Sequence, residues 1–232
     1  MDWLLAPIDA ARGHDVGLAV SWHGRSMVLA WGLIAPLAVL IARYFKVMPG
    51  QDWPRELDNQ TWWRSHWLGQ SLVVLLTVAG ISLVFGGGGD WNLHARLGYA
   101  VLVLALAQVG FGIFRGTKGG PGEASLHGDH YDMTRWRVTF EWVHKVTGYA
   151  LLLLAALTIC LGMWQANAPV WMWLSLGLWW LALAIAAMRL QRRGHAIDTY
   201  QAIWGPGIEH PGNRRKPIGW GIRRPSDPQP GE

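Results

Sequence analysis

The stretch Trp22–Phe45, WHGRSMVLAWGLIAPLAVLIARYF, decides the fold because it predicts a helix that crosses a membrane. Its central seventeen residues, from Ser26 to Ala42, carry no charge. At about 1.5 Å of rise per residue they cover roughly 26 Å, close to a ~30 Å hydrocarbon core once the flanking turns are included. His23 and Arg43 are therefore expected near the two membrane interfaces.

The composition of the whole chain indicates the same class of protein. Hydrophobic residues make up 51% of the 232 residues and charged residues only 15%. Many of the 17 tryptophans stand near the ends of apolar runs, as in the aromatic belts of membrane proteins. The formal charge of +5 would suggest nucleic acid for a soluble domain. Here we expect membrane lipid as a partner and no nucleic acid.

Further apolar stretches predict five spans, and so an all-α integral membrane bundle in which four helices form the core. After the first span, the predicted spans are about 65 to 85, about 93 to 114, and two helices in the uncharged stretch 146–188. The break Gln165–Pro169 divides the last two. Pro36 inside the first span is tolerable because neighbouring helices can satisfy the carbonyl that it frees.

The chain divides into three predicted parts: an N-terminal segment at 1–21, a transmembrane domain at 22–193 and a cytoplasmic tail at 194–232. The first part lacks the basic region and cleavage pattern of a secretory signal, so we expect it to be retained. With five spans, 17 of the 20 Lys and Arg residues fall on the side of the C-terminus. The positive-inside rule makes that side cytoplasmic and the N-terminus external. The expected location is the bacterial inner membrane.

Four of the nine histidines occur at the start of the first four predicted spans: His23, His66, His94 and His144. Because successive helices run in opposite directions, His23 and His94 are expected at similar depth on the outer side, and His66 and His144 on the cytoplasmic side. In a four-helix bundle, the first and third helices face each other, as do the second and fourth. Each pair could therefore supply two axial ligands to a haem iron.

Glycines near these histidines support a flat ligand. Gly98 and Gly148 each follow a histidine by four residues, on the same helix face. The missing side chain would let a planar ring approach the backbone. Close helix packing is the alternative interpretation, since small residues serve that purpose throughout membranes.

Other interpretations of the histidines are weaker. One histidine at a helix mouth is more often a polar interfacial residue, but four at matching depths favour ligation. Zinc would have an incomplete ligand set with two histidines per site. The chain has no C-x-x-C-H motif, which excludes covalent c-type attachment, so two non-covalent b haems are the expected cofactors.

These residues resemble the cytochrome b561 superfamily of transmembrane di-haem electron carriers. The first span is similar to the form often fused to DOMON-type domains, with His-Gly-x-x-Met from His23, Ala-Trp-Gly at 30–32, Pro36 and Ala-Arg-Tyr-Phe at 42–45. Residues 92–98 resemble the third-span opening of the family, and residues 142–149 the fourth. The resemblance covers about residues 20 to 190.

The resemblance implies an electron relay across the bilayer through two b haems. His23 and His94 would hold the outer haem, and His66 and His144 the cytoplasmic one. The Tyr- and Arg-rich signature of the ascorbate-using members is not found, which argues against ascorbate as donor. No DOMON domain precedes the spans, so we expect any outer partner to be a separate chain.

The expected function is transmembrane electron transfer from a cytoplasmic or membrane quinol donor to an acceptor outside. A protein with this function could be a transmembrane oxidoreductase. The alternative is a non-enzymatic haem-bearing subunit that anchors or wires a larger respiratory complex. A channel is poorly supported, because the ionisable residues cluster at helix mouths rather than along a path.

Basic residues are candidates for the haem propionates. Arg25 and Arg96 lie on the side that is poor in positive charge, each two residues from a predicted ligand, so we expect propionate pairing there. On the cytoplasmic side, the candidates for propionates or an anionic substrate are Arg43, Lys46, Arg64, Arg137 and Lys145.

Two polar regions are predicted to lie outside the haem sites. His127 and His130 share a loop with two aspartates and could face a donor or a metal, although a solvated loop is favoured. The tail, with the basic cluster 214–216, is expected to be irregular from Gly205 and to dock a partner or lie on anionic lipid.

Overall fold

The computed structural model describes residues 2–87, 91–120 and 125–224. In these residues the chain is helical, without β-strands, and five helices are long and apolar enough to cross a membrane. We number them spans 1 to 5: Leu18–Tyr44, Thr61–Val84, Leu93–Ile113, Arg135–Gln165 and Val170–Arg192. Shorter helices are Asp2–Leu5, Thr199–Trp204 and a 3-10 turn at Pro211–Arg214. The predicted all-α class with five spans is confirmed.

Span 4 begins eleven residues before the uncharged stretch from which it was predicted. Its first turns are charged, but Glu141 pairs with Arg137 at 3.0 Å and with Lys145 at 2.8 Å, both four residues away on the helix. His144 therefore lies in the third turn. His23 and His66 are each the sixth residue of their spans, so the prediction of four first-turn histidines is correct only for His94.

Pro36 shapes span 1 without ending it. Proline has no N–H to donate to the carbonyl four residues earlier, which belongs to Gly32. The helix is π-helical over Val28–Ile34, and the Gly32 carbonyl accepts the indole N–H of Trp179 at 3.1 Å and of Trp180 at 3.0 Å. A neighbouring helix thus satisfies the freed carbonyl, as predicted.

Contacts group the chain into two compact units. The first comprises residues 1–38, 67–106 and 150–186. Its core is made mostly of small and branched side chains, with members from all five spans and from the break before span 5, which are Ala30, Trp31, Ala35, Val73, Val101, Ala105, Leu151, Ala155, Ile159, Met163, Ala168 and Leu176. Large apolar side chains such as Leu75, Leu153 and Leu178 are about two-thirds exposed or more, as expected for surfaces that face lipid.

The N-terminal segment is anchored in this first unit by Asn167, which lies in the break between spans 4 and 5. The Asn167 side chain is 1% exposed. Its amide nitrogen donates to the carbonyls of Asp9 and Arg12, and its oxygen accepts from the Asp9 backbone N–H at 3.0 Å. One buried amide therefore satisfies several backbone groups of the segment.

The second unit comprises residues 39–66, 107–149 and 187–232, of which 225–232 lie outside the described residues. Tyr200, Trp204 and Ile218 from the predicted tail are buried with Met133 in a small apolar cluster. The tail therefore contributes residues to a packed core, although the sequence suggested a peripheral segment. The aromatic residues Tyr200 and Trp204 supply buried apolar area that the polar average composition of the tail did not predict.

Side chains from the ends of the spans hold the tail by its backbone carbonyls. Lys46 donates to the carbonyl of Ile197 at 3.2 Å, and Lys145 donates to that of Ile218 at 2.7 Å. The Arg43 guanidinium donates to the Trp220 carbonyl at 2.7 Å. Three of the basic residues that the sequence offered for propionates or an anionic substrate thus have partners within the chain.

Candidate haem-binding sites

The first candidate site is built by His23 of span 1 and His94 of span 3. Their ring centroids are 6.1 Å apart and the ring planes are nearly perpendicular, at 89°. The structure therefore brings together the two histidines that were predicted to share the outer depth.

This separation can be compared with two imidazoles on opposite sides of one metal. A ligating nitrogen lies about 2.0–2.1 Å from the metal, and roughly 1.1 Å from the centre of its own ring, so two such rings have centroids roughly 6.3 Å apart. The spacing of His23 and His94 fits an iron between them. Among the described residues, no group of three or more His, Cys, Asp or Glu could hold a metal ion.

Backbone carbonyls orient both imidazoles. His23 Nδ1 lies 2.9 Å from the Gly80 carbonyl oxygen, and His94 Nδ1 lies 3.0 Å from that of Thr158. A carbonyl only accepts, so each Nδ1 must carry the proton and each Nε2 keeps its lone pair. This tautomer is the one that a metal requires at Nε2.

Two glycines that the sequence did not single out let the backbone pass close to this pair. A Cβ on Gly162 would lie 2.7 Å from Cε1 of His94, and a Cβ on Gly80 would overlap the terminal methyl of Met27. Span 4 can therefore press its backbone against the His94 ring only with glycine at 162. No sequence signal could identify this residue, because its partner is 68 positions away.

A cavity of about 390 Å³ opens beside the first pair. Both histidines line it, together with Trp31, Gly98 and Thr158. Its volume is in the range of small-molecule and cofactor pockets, which is about 300–1,000 Å³. A Cβ on Gly98 would meet no atom within 4 Å, so this glycine borders open space rather than a packed helix.

The glycines divide between the two interpretations that the sequence left open. Gly24 and Gly148, like Gly98, have no neighbour near the position of a Cβ. Gly69 differs, since its Cβ would lie 2.9 Å from that of Ala38, and there glycine serves close packing of spans 1 and 2.

The second candidate site is built by His66 of span 2 and His144 of span 4. The ring centroids are 6.3 Å apart with an interplanar angle of 81°. Phe140, one turn before His144, stacks on its ring at 5.3 Å. The second predicted pair is thus also brought to the distance that suits two ligands of one iron.

The surroundings of His144 differ from those of the first pair. Among the residues that the structure describes, neither its buried Nδ1 nor Oε1 of Gln108 has a hydrogen-bond partner. The Gln108 amide nitrogen donates to the His144 carbonyl at 3.3 Å and to the Thr147 hydroxyl. The orphaned nitrogen fits a histidine whose final orientation depends on a bound ligand.

Glu141 centres a buried ion cluster one turn before His144. It is 6% exposed and pairs with Arg137 and Lys145, while His130 Nε2 lies 3.8 Å away. Such a buried carboxylate needs both cations, because desolvation would otherwise penalise its charge. Arg137 and Lys145 therefore have a partner in the chain itself.

The two arginines predicted for the outer propionates lie at the surface. The Arg25 guanidinium sits 5.0 Å over the Trp22 ring, and Arg96 Nε donates to the Trp91 carbonyl at 3.2 Å. Neither lines the cavity beside the first pair. Their pairing with propionates stays a prediction.

The remaining predicted polar residues fall into different settings. Arg64 is exposed and contacts Gln60. The His127 side chain is 82% exposed and lies 3.1 Å from Asp132, so it occupies the solvated loop that was favoured. His130 is only 5% exposed, against that expectation, because its ring packs edge-on against Trp204 at 4.7 Å.

Comparison with known proteins places the chain in a family. Residues 22–168 match the family model described as Eukaryotic cytochrome b561. Ferric-chelate reductase 1 of Bos taurus is 31% identical over 162 residues, which cover 68% of this chain and 24% of that protein. Ferric-chelate reductase 1 of Homo sapiens is 28% identical, with 68% and 24% covered. A cytochrome b561 and DOMON domain-containing protein of Arabidopsis thaliana is 26% identical, with 69% and 37% covered.

The chain thus spans about a quarter of the length of the first two relatives and somewhat more of the third. No solved structure matches it significantly. The family implies an integral membrane protein that binds haem b and transfers electrons. Because the family model covers residues 22–168, well over half of the sequence, the chain belongs to the cytochrome b561 family.

Proposed function

We propose that this chain transfers electrons across the membrane through two b haems, each held by two histidines. His23 and His94 would hold the outer haem, and His66 and His144 the cytoplasmic one. The observation that carries the proposal is the spacing of both ring pairs, 6.1 and 6.3 Å, which suits imidazoles on opposite sides of one iron.

The protein residues would tune the two sites differently. A bound haem supplies an iron that exchanges one electron at a time. The Gly80 and Thr158 carbonyls accept from the Nδ1–H groups of His23 and His94, which makes these imidazoles more basic ligands. More basic ligands favour the ferric state, whereas His144 has no such partner at Nδ1. We therefore expect unequal potentials, with the lower one at the first pair.

The proposed direction is from a cytoplasmic or membrane quinol donor to an acceptor outside. The concentration of 17 of the 20 basic residues on the side of the C-terminus supports an external N-terminus and a cytoplasmic C-terminus. The bacterial inner membrane remains the proposed location. Since two relatives are ferric-chelate reductases by name, a ferric chelate is the first acceptor to test.

The test is a haem count with ligand variants. The purified protein should hold two b haems per chain by pyridine haemochrome, and His23→Ala or His94→Ala should each remove one of them. His66→Ala and His144→Ala should remove the other. Absence of haem, or loss of the same haem from His23→Ala and His66→Ala, would overturn the proposal.

The second candidate function is a haem-bearing subunit that anchors or wires a larger respiratory complex and has no substrate site of its own. The tail supports this candidate, because Tyr200 and Trp204 are buried in an apolar cluster and hold the segment in a defined structure. Reduction of a ferric chelate by quinol, with the purified chain alone, would exclude it.

A further inference from the structure

The second unit contains a cavity that is separate from its histidine pair. Its volume is about 270 Å³, and neither His66 nor His144 lines it. The walls come from the loop before span 2, the starts of spans 2 and 4, the loop between spans 3 and 4, and the helix Thr199–Trp204. The lining residues are Asp58, Gln60, Trp62, Trp63, Arg115, Gly116, Thr117, Lys118, His130, Arg137, Thr199 and Ile203.

Two of the three cations that line the cavity have carboxylate partners. Lys118 is bound to Asp58 at 2.5 Å, and Arg137 is bound to Glu141. Within the described part of the chain, Arg115 makes no salt bridge and lies 5.3 Å over the ring of Trp63. Burial and the charge of Arg137 lower the pKa of Arg115. A half-buried guanidinium without a carboxylate creates a demand for an anion.

His130 adds a buried imidazole whose Nε2 lies 3.8 Å from the Glu141 carboxylate, beyond hydrogen-bond distance. It lines the cavity, is 5% exposed, and its Nε2 makes no hydrogen bond to any residue that the structure describes. Burial and the charges of Arg137, Arg115 and Lys118 together lower its pKa to about 3, against the opposing charge of Glu141. The imidazole is therefore neutral, and the three cations outweigh the Glu141 carboxylate, which leaves a positive potential at the ring. An anion would both relieve that potential and offer His130 a partner.

We propose that this cavity binds a phosphate group, from the headgroup of an anionic phospholipid or from free phosphate. The donors that line the cavity come from different elements. They are the guanidinium groups of Arg115 and Arg137, the ammonium group of Lys118 and the imidazole of His130. A tetrahedral group with several acceptor oxygens can meet such a spread of donors, whereas a planar carboxylate is best matched by a single guanidinium fork.

The place of the cavity along the chain favours the lipid. Trp62 and Trp63 begin span 2, and Arg115 follows the end of span 3 by two residues. Tryptophans at helix ends occupy the headgroup level, and basic pockets between transmembrane helices bind anionic headgroups.

The test uses the full chain, purified in detergent and freed of lipid, with two phosphate sources. Native mass spectrometry compares phosphatidylglycerol with phosphatidylcholine, and thermal unfolding compares inorganic phosphate with succinate at equal ionic strength. Arg115→Gln should weaken the binding affinity for the phosphate-bearing ligand at least about tenfold, as expected for a lost charge-assisted hydrogen bond. The matched control is Arg55→Gln, since Arg55 is exposed and pairs with Asp52 away from the lining.

Each outcome of these measurements either supports or overturns the proposed phosphate site. Preferential phosphatidylglycerol binding that Arg115→Gln weakens supports a lipid site, and stabilisation by inorganic phosphate alone supports a soluble ligand. Equal binding of both lipids without a phosphate effect, equal stabilisation by succinate, or equal loss in Arg55→Gln would overturn the proposal. The wild-type comparison of ligands stands even if Arg115→Gln folds poorly. The readout is bound ligand, so it is independent of haem loading and of the proposed electron transfer.

Discussion

Gly162→Ala provides a sharp test of the first histidine pair. The new Cβ would lie 2.7 Å from Cε1 of His94, which is 0.7 Å inside the shortest ordinary contact of 3.4 Å. Span 4 cannot yield easily, because the same helix supplies the Thr158 carbonyl that accepts from His94 Nδ1 at 3.0 Å. The ring must turn away, and the hydrogen bond is then lost.

The cost can be worked from these two effects. Overpacking by a methyl group typically costs about 1–3 kcal/mol, and a lost hydrogen bond about 0.5–1.5 kcal/mol. A combined loss of about 1.5–4.5 kcal/mol corresponds to roughly 10- to 2,000-fold weaker haem binding at this site. At a free haem concentration just sufficient to fill both wild-type sites, we therefore expect Gly162→Ala to hold one haem per chain, against two in the wild type.

The assay is the pyridine haemochrome ratio together with the reduced-minus-oxidised spectrum. Gly162→Ala combined with His144→Ala should hold no haem, while its combination with His94→Ala should match His94→Ala alone. Gly110→Ala is the control, since a Cβ there meets nothing within 4 Å. Two haems bound at wild-type affinity by Gly162→Ala, or loss of the haem at His66 and His144, would refute the reasoning.

Two further predictions concern stability. Trp180→Phe removes one of the two indole donors to Gly32 and should lower the free energy of unfolding by about 1 kcal/mol. The loss should be smaller in a Pro36→Ala background, where a backbone N–H becomes available to the Gly32 carbonyl. Equal losses in both backgrounds, measured in a thermal double-mutant cycle, would contradict this. Burial lowers the pKa of Lys46 to about 7 from 10.5, so between these pH values the unfolded chain binds more protons and stability rises with pH. Lys46→Gln should flatten that rise in unfolding measured from pH 7 to 9, whereas Lys216→Gln, at an exposed position, should keep it.

Local sequence properties were enough for the spans and for which histidines lie close together. An uncharged run and a 1.5 Å rise per residue predict a crossing helix, and alternating helix direction predicts which histidines share a level. The same local rule placed the start of span 4 too late. It treats charge as exposure, but Glu141 and its two cations form a paired helical segment.

The glycines show where local sequence stops being informative. Gly98 and Gly69 both follow a histidine within one turn, yet one borders open space and the other touches Ala38. Pro36 is a similar case, because its missing N–H predicts that some donor must serve Gly32. That the donors are Trp179 and Trp180 depends on how span 5 packs.

The stretch Trp22–Phe45 by itself was thus enough to predict a membrane protein and a membrane-spanning helix, because hydropathy and helical rise depend only on neighbouring residues. It also contained a candidate ligand, His23. Tertiary structure alone decided that Gly162 presses against His94, that His130 is buried, and that the tail packs into a core. These features join residues far apart in the chain. Their distances follow from how side chains of different helices fill space, which no local pattern encodes.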